Sequence, residues 1–230
     1  MPNDSYQDVY ASDADRYDAM VSAEDAEQNL PKTLARVLVG ARRVIDIGCG
    51  TGRVTRAIIA ATGAQVVGVE PAPAMLEVAR RRSPGTTFLE GPADALPVAD
   101  RSFDAAVAGW VFGHQVSWAG ERWPDTIGKF LDEMRRVVRP GGTLVVIETL
   151  GTGRGEEPEP PSPASGAYYD WLEARHGFTR HAIDTSYRYD SVDQAVAGMA
   201  FFFGSRLAER IRQHGWTRVP EWTGLWVAST

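Results

Sequence analysis

Short apolar runs alternate with amphipathic stretches along the middle of the chain. The runs are rich in Val, Ile and Ala, as buried strands are, and the stretches between them carry apolar residues at helical spacing. The runs predict strands over residues 43–48, 65–70, 86–90, 104–110 and 143–149, and the stretches predict helices over residues 53–62, 73–82 and 125–138. Strands that alternate with helices form a parallel sheet, so we expect a doubly wound α/β fold.

The chain on either side of this alternation has a less regular pattern. Residues 1–40 are mostly polar and are predicted to be largely helical. Residues 151–166 are rich in Pro, Gly, Glu and Ser without periodicity, which predicts a flexible, extended connection. Beyond it, the pattern predicts a strand near residues 179–188, a helix near residues 191–214 and a last strand near residues 222–229.

Length and charge limit the class of protein. A chain of 230 residues with 43% hydrophobic residues can bury one substantial core, so we expect a single domain. The net charge of −6 and the pI near 5.3 argue against nucleic-acid and membrane partners, because binding to phosphates needs a basic face.

Single residue types indicate a cytoplasmic protein without a metal. Cys49 is the single cysteine, so no disulfide can form within the chain and a reducing cytoplasm is expected. The first residues lack the basic and apolar regions of a secretory signal, and no apolar run approaches the roughly 18 residues of a membrane span, so we expect neither targeting nor anchoring. The four histidines lack the spacing of a zinc site, and no metal is expected.

The sequence VIDIGCGTG, residues 44–52, places a glycine-rich bend at the end of the first predicted strand. Gly48, Gly50 and Gly52 let the backbone turn sharply and approach a ligand closely, and the helix that follows begins with unpaired N–H groups. The spacing G-x-G-x-G differs from the G-x-G-x-x-G fingerprint of dinucleotide-binding folds, whose glycines admit a pyrophosphate. The loop therefore predicts a ligand site of another kind.

Three acidic residues are predicted to surround the same crevice. Asp46 comes two residues before the first glycine of the loop, Glu70 ends the second predicted strand, and Asp94 follows the third. A carboxylate at the end of the second strand can accept hydrogen bonds from both hydroxyls of a ribose, whereas three carboxylates together would repel a pyrophosphate. They suit a ligand with a nucleoside at one end and positive charge at the other, and S-adenosylmethionine (SAM) is such a ligand.

Five motifs in this order resemble the class I SAM-dependent methyltransferases, in particular the small-molecule, methyltransferase type 11-like group that is built around D-x-G-x-G-x-G. The motifs are the loop of residues 46–52, Glu70-Pro71, GPADALP at 91–97, SFDAAVAGW at 102–110 and LDEMRRVVRPGGTLVV at 131–146. The resemblance implies a Rossmann-like, seven-stranded, mostly parallel sheet with an N-terminal helical segment. It also implies an enzyme that transfers the methyl group of SAM to a small molecule.

The resemblance divides the single SAM-binding domain, residues 1–230, into four parts. Residues 1–40 would form an N-terminal helical cap and residues 41–150 the cofactor-binding core. Residues 151–166 would form a flexible loop, and residues 167–230 the C-terminal part of the sheet and the substrate side.

The resemblance also implies which residues contact SAM. These are Asp46, Gly48, Cys49, Gly50, Gly52, Glu70, Pro71, Met75, Ala93, Asp94 and Trp110. The loop glycines would pack under the methionine part, Glu70 would hold the ribose, and Met75 would border the adenine. Asp94, with the backbone of Ala93, would face the adenine edge. Many family members carry an acid at the position of Pro92, and its absence here shifts that contact to Asp94 or to the backbone.

Catalytic residues are expected beside the transferred methyl group. Displacement on a sulfonium mainly requires positioning and exclusion of water. His114, just beyond the fourth predicted strand, is a candidate base on an acceptor hydroxyl or amine, and Glu148, near the end of the fifth, is a second candidate. Further candidates for substrate contact or for a lid are aromatic, namely Tyr10, Tyr17, Tyr168, Tyr169 and Trp222. We hypothesise that the segment of Tyr10 and Tyr17 and the 151–166 connection close over the crevice once SAM is bound. The alternatives are that the two tyrosines only pack against the core and that residues 151–166 are only a linker.

Three other functions remain open at this point. The same fold could catalyse a cyclisation within SAM that releases methylthioadenosine, or it could bind SAM as a regulatory protein without catalysis. A nicotinamide-dependent oxidoreductase is disfavoured by the G-x-G-x-G spacing and by the acidic residues around the crevice.

Overall fold

A mostly parallel sheet forms the centre of the molecule. The computed structural model describes residue 10, residues 12–155 and residues 157–230. In this part of the chain the sheet strands are β1 (Arg43–Ile47), β2 (Gln65–Glu70), β3 (Thr87–Glu90), β4 (Phe103–Gly109), β5 (Val138–Thr152), β6 (Thr179–Asp184) and β9 (Glu221–Ser229). Their order is β3-β2-β1-β4-β5-β9-β6, and two short strands, β7 (Tyr187–Arg188) and β8 (Arg218–Val219), pair separately.

The directions of the strands confirm the predicted seven-stranded, mostly parallel sheet. β1 pairs in parallel with β2 and β4, β2 with β3, and β4 with β5. β9 is antiparallel to both of its neighbours, β5 and β6. Because the chain continues from β1 to β2 on one side and places β4 on the other, a crevice opens at the carboxyl ends of β1 and β4.

Helices cover both faces of the sheet. The described helices are α1 (Ala14–Ser22), α2 (Asn29–Val37), α3 (Arg53–Thr62), α4 (Pro73–Arg82), α5 (Gly113–Trp118), α6 (Trp123–Val137), α7 (Pro163–His176), α8 (Val192–Phe203) and α9 (Ser205–His214). In the described ranges none of them has both the length and the apolar content needed to cross a bilayer.

Alternation along β1 divides the core between the two faces. Val44 packs on one face with Ile58 of α3, and its neighbour Ile45 packs on the other face with Leu131 of α6. All of these side chains are fully buried. Successive strand residues point to opposite faces, so a residue two positions from Val44 is expected on the α3 side.

The connection after β5 is shorter than predicted. β5 continues to Thr152, and α7 begins at Pro163, so the prediction of a loop over residues 151–166 is wrong at both ends. Ser162 accepts a hydrogen bond at its Oγ from the N–H of Ser165 at 3.1 Å, which is the usual cap of a helix N-terminus. The proline-rich composition of this segment gives no indication in the sequence of where the helix starts.

Near the C-terminus, one predicted helix and one predicted strand are each divided into two elements. The helix predicted over residues 191–214 is two helices, because Gly204 has a φ of +83° and ends α8 before α9 begins. The strand predicted over residues 179–188 is interrupted between β6 and β7. There the N–H and hydroxyl of Ser186 both donate to the Asp184 carboxylate, at 2.9 and 2.6 Å, and turn the chain.

Ion pairs attach the N-terminal helical segment to the core. The Asp18 carboxylate of α1, whose side chain is 2% exposed, accepts hydrogen bonds from Arg82 at 2.6 Å and from Arg56 at 3.4 Å. Glu24, which follows α1, accepts from Arg53 at 2.7 Å. These contacts place α1 against α3 and α4, beside the crevice.

Substitution of Gly68 in β2 tests the packing beneath the crevice. A Cβ at Gly68 would lie 2.6 Å from Phe88 and 2.8 Å from Cys49, so Gly68→Ala should lower the free energy of unfolding by about 1–3 kcal/mol. The matched control is Gly128→Ala in α6, where a Cβ meets nothing within 4 Å and should stabilise the helix by about 0.5–1 kcal/mol. Urea denaturation measures both. A Gly68→Ala midpoint equal to that of the wild type would contradict the packing.

Candidate functional site

A cavity of about 390 Å³ lies at the carboxyl ends of β1, β2 and β4. Its wall includes the loop after β1, the ends of β2 and β4, and residues 91–94. Tyr10 and Tyr17 of the N-terminal segment complete it on one side. The volume falls within the range of small-molecule sites.

The glycine loop has no room for side chains at its closest point to β4. Gly48 has a φ of +64°, and a Cβ there would lie 2.4 Å from the side chain of Val111. Gly50 has a φ of +53°, also in the left-handed region that favours glycine. The Cys49 N–H donates to the carbonyl of Val69 at 3.0 Å and thereby joins the loop to the end of β2.

The Glu70 carboxylate lies against the same loop. One oxygen accepts a hydrogen bond from the N–H of Gly50 at 3.1 Å, and the other accepts from the N–H of Ala72 at 3.0 Å. A carboxylate offers about four lone-pair sites, so both oxygens keep capacity for ligand hydroxyls. Burial raises the pKa of Glu70 above its ordinary value, and the two backbone hydrogen bonds oppose that shift.

Trp110 follows β4 in an uncommon backbone conformation. Its φ is +56°, and its N–H donates to the carbonyl of Ile147 at 2.7 Å, which holds the residue in place. The guanidinium of Arg53 lies 4.2 Å from the centre of the indole ring, within the distance of a cation–π contact. A non-glycine residue keeps a positive φ only where the surrounding structure holds its backbone. Such residues are found more often at functional sites than elsewhere.

Aromatic rings form another part of the wall. The His114 ring stacks on Trp118 at 5.0 Å, and its Nε2 is 3.0 Å from the Tyr10 hydroxyl. Tyr10 packs edge-on against Tyr17 at 5.5 Å. Burial lowers the pKa of His114 to about 4, so the imidazole is neutral near pH 7.

Most of the residues predicted from the sequence line this cavity. They are Tyr10, Tyr17, Gly48, Cys49, Gly50, Glu70, Pro71, Met75, Ala93, Asp94, Trp110 and His114. Their positions agree with the sequence analysis. Their roles toward a ligand remain predictions.

Asp46 and Gly52 do not line the cavity, contrary to expectation. Asp46 is fully buried because alternation along β1 turns it, like Val44, toward α3, where its Oδ2 accepts a hydrogen bond from the Thr55 hydroxyl. Burial raises the pKa of Asp46 to about 7. Gly52, with a φ of +80°, is the N-cap residue directly before α3, and a Cβ there would contact Ala79 of α4.

The structure also corrects the prediction that Glu148 faces the substrate. Its Oε1 accepts hydrogen bonds from the N–H of Gly113 at 2.8 Å and from the Tyr168 hydroxyl at 3.4 Å, so it holds the first turn of α5 from beneath. Neither Glu148 nor Tyr168 is part of the cavity wall, and both are buried. Burial raises the pKa of Glu148 to about 8.

Tyr169 and Trp222 also lie away from the cavity. The Tyr169 hydroxyl donates to the carbonyl of Thr149 at 2.7 Å, and its ring packs on Trp226 at 4.4 Å. Trp222 packs against the hydrophobic core on the α6 and α7 side of the sheet. None of the described residues of the 151–166 segment lines the cavity either, so a cover formed by that segment is not observed.

Sequence analysis did not identify several wall residues. Among these are Thr51, Arg53 and Phe130. Arg53 had a usable signal, because it begins the helix directly after the glycine loop. Thr51 lies within the glycine loop itself, and Phe130 comes from α6, whose face toward the cavity depends on tertiary packing. Within the described ranges, no three His, Cys, Asp or Glu side chains come together as a metal site.

Comparison with known proteins shows a match to a family model over part of the chain. Residues 45–146 match the family model described as "Methyltransferase domain". The demethylmenaquinone methyltransferase of Chlorobaculum tepidum is 32% identical over 138 residues, which cover 59% of this chain and 50% of that protein. The one of Thermus thermophilus is 36% identical over 133 residues, covering 56% and 53%. This chain therefore spans about half the length of these curated relatives.

Solved structures share the fold at lower identity. A putative methyltransferase from Bacillus halodurans has a TM-score of 0.55 at 16% identity, and the match covers 86% of this chain and 96% of that one. The cyclase SpnF has a TM-score of 0.56 at 20% identity, covering 89% and 82%. Because these neighbours differ in their named activities, the fold alone does not specify the reaction.

The buried Glu148 predicts a pH dependence of stability. Its pKa is about 8 in the folded protein against 4.5 ordinarily, so between these values the folded state keeps a proton that the unfolded state has lost. Stability from this group is complete below the lower value and is lost as the pH rises through the higher one. Urea denaturation should show that Glu148→Gln reduces the fall in unfolding free energy between about pH 5 and pH 8.

The matched control for this substitution is exposed Glu209→Gln in α9, which should leave the slope unchanged. Asp46 also has a raised pKa, so part of the slope should remain in Glu148→Gln. A slope equal to that of the wild type in Glu148→Gln would show that Glu148 is ionised in the folded protein.

Proposed function

We propose that the chain is a class I SAM-dependent enzyme that transfers the methyl group of SAM to a small-molecule acceptor, on the premise that residues 45–146 match a methyltransferase domain. The observation that supports this most directly is the Glu70 carboxylate, which lies against the glycine loop and faces the cavity. Both of its oxygens have a backbone donor and spare lone pairs, as a receptor for two adjacent ribose hydroxyls requires.

The remaining wall suits the other parts of SAM. The backbone at Gly48 and Gly50 gives a surface without side chains, over which the methionine part would lie. Met75 and Ala93 offer apolar contacts to an adenine, and Asp94 offers an acceptor for its amino group. The Thr51 hydroxyl is buried and has no hydrogen-bond partner among the described residues, which fits a wall that binds a polar ligand.

The residues around the proposed methyl position would orient the acceptor and exclude water. SAM, when bound, supplies an activated methyl group, so the protein needs mainly to align an acceptor atom with it. Trp110 and Tyr17, which both line the cavity, would shield that atom from water. His114 is the candidate base toward an acceptor hydroxyl or amine because its ring lines the cavity and is neutral near pH 7, but its pKa of about 4 makes it a weak base. Tyr10, which is in hydrogen-bond contact with it, would fix its orientation.

The acceptor and the location of the enzyme form the finer part of this proposal. Both relatives described above carry the name demethylmenaquinone methyltransferase, which supports a small organic acceptor here without specifying it. The acidic net charge of −6 disfavours nucleic acid as the acceptor. The single cysteine, which is buried in the glycine loop, is compatible with a reducing cytoplasm, where we place the enzyme.

The proposal predicts selective binding of SAM and a defined product. SAM and S-adenosylhomocysteine should raise the melting temperature, whereas NAD should not, because a ligand of the native state stabilises it. Mass spectrometry after incubation with SAM and a metabolite extract should detect S-adenosylhomocysteine and a methylated acceptor. Release of methylthioadenosine would instead indicate a cyclisation, and binding without turnover would indicate a regulatory protein. Stabilisation by NAD alone would contradict the cofactor.

Glu70 should contribute measurably to SAM affinity. Glu70→Ala removes a charged acceptor of ribose hydrogen bonds and should weaken S-adenosylhomocysteine binding by at least about 1.5 kcal/mol, or about tenfold, in calorimetry. The control is Glu90→Ala, because Glu90 pairs with Glu70 across β2 and β3 and is exposed outside the cavity. Unchanged affinity in folded Glu70→Ala would remove this residue from the site.

A further inference from the structure

Arg53 is the charged wall residue that the proposed reaction leaves without a role. It is the first residue of α3, directly after Gly52, and its side chain is 16% exposed. Its Nη1 donates to Glu24 Oε2 at 2.7 Å, and its guanidinium lies 4.2 Å from the centre of the Trp110 ring. Two different elements thus fix the guanidinium at the edge of the cavity.

The same guanidinium has unused hydrogen-bonding capacity. Its Nη2 is buried and, among the described residues, has no hydrogen-bond partner. Burying an unpaired charged donor costs more free energy than burying a neutral one, so a structure that keeps it there gains from a ligand that supplies the acceptor. Because Glu24 occupies Nη1, Nη2 is available for a second acceptor.

The chemistry of the ligand determines which group that acceptor is. The sulfonium and the ammonium of SAM are cationic and would be repelled by Arg53. The carboxylate of its amino-acid end is the one anionic group of SAM, and a planar guanidinium pairs with carboxylates better than with neutral acceptors. Arg53 is also suitably placed, because it follows by one residue the loop over which the methionine part would lie.

We propose that Arg53 binds the carboxylate of the amino-acid end of SAM and that Glu24 is a positioning residue, which holds the guanidinium over Trp110. The inference rests on the proposed function, because it concerns the same cavity. It makes the site selective for ligands that keep an intact amino-acid end over nucleosides that lack the carboxylate.

The test compares two ligands that differ only in that carboxylate. Calorimetry measures the affinity of the wild type and of Arg53→Met for S-adenosylhomocysteine and for its decarboxylated form, in which a hydrogen replaces the carboxylate. Arg53→Met should weaken binding of S-adenosylhomocysteine at least about tenfold and binding of the decarboxylated form less than about twofold. The wild type itself should prefer S-adenosylhomocysteine.

Two further variants keep this test decisive. Arg53→Lys keeps the positive charge but not the planar guanidinium, so it should fold even if Arg53→Met does not, and it should lose affinity for S-adenosylhomocysteine alone, by about threefold or more. Arg82→Met removes another arginine that binds the N-terminal segment through Asp18, but Arg82 is outside the cavity wall. It should leave the ratio of the two affinities at the wild-type value.

The outcomes separate this inference from the proposed function. Equal losses for both ligands in the Arg53 variants would mean that Arg53 only supports the wall, and would overturn the assignment while leaving SAM binding intact. A wild type that binds neither ligand would overturn the proposed function and this assignment together. A loss confined to the ligand that carries the carboxylate would support both.

Discussion

The contact between Gly48 and Val111 sets the geometry on which the cavity depends. A Cβ on Gly48 would lie 2.4 Å from the Val111 side chain, so the loop after β1 can approach the end of β4 only as glycine. With the loop in that position, the N–H of Cys49 reaches the carbonyl of Val69 and the N–H of Gly50 reaches the Glu70 carboxylate. One close backbone approach therefore brings together the carboxyl ends of three strands, and the cavity is the space that they enclose.

Charge, as well as apolar contact, holds the remaining wall in place. The buried Asp18 carboxylate lies between Arg56 and Arg82, and removal of either partner would leave charge poorly compensated. These ion pairs position α1, which brings Tyr17 to the cavity. Met20 and Val21 of the same helix pack into an apolar cluster with α8 and α9. The N-terminal segment thus joins the cavity wall to the C-terminal helices.

The parts of the fold that follow from short-range patterns could be predicted from the sequence. The alternation from β1 to β5, the bend at the glycine loop and the position of Glu70 at the end of β2 each depend on a few adjacent residues. The divided C-terminal elements could not be predicted in this way. A positive φ at Gly204 and a turn at Ser186 interrupt patterns that are otherwise continuous.

The errors in the site have a common physical cause. Position near a strand end indicates closeness to the crevice, but the face of the sheet decides whether a side chain reaches it. Along β5, alternation places Glu148 with Val146 and Leu150, which belong to the core cluster of Tyr168, and so beneath α5. In a sheet buried on both faces, the sequence does not indicate which face opens to a cavity. Tyr168 and Tyr169 lie on α7, whose orientation is equally a tertiary property.

The charges around the cavity also differ from those inferred from the sequence. Asp46 lies out of contact with the cavity, and its pKa of about 7 means that a proton neutralises it part of the time near neutral pH. Glu70 remains as the buried carboxylate of the wall, and Arg53, absent from the sequence prediction, adds a cation near the glycine loop. The wall therefore carries both signs of charge. Such a wall suits a ligand that carries both signs itself, whereas the three carboxylates expected from the sequence account only for the positive groups of SAM.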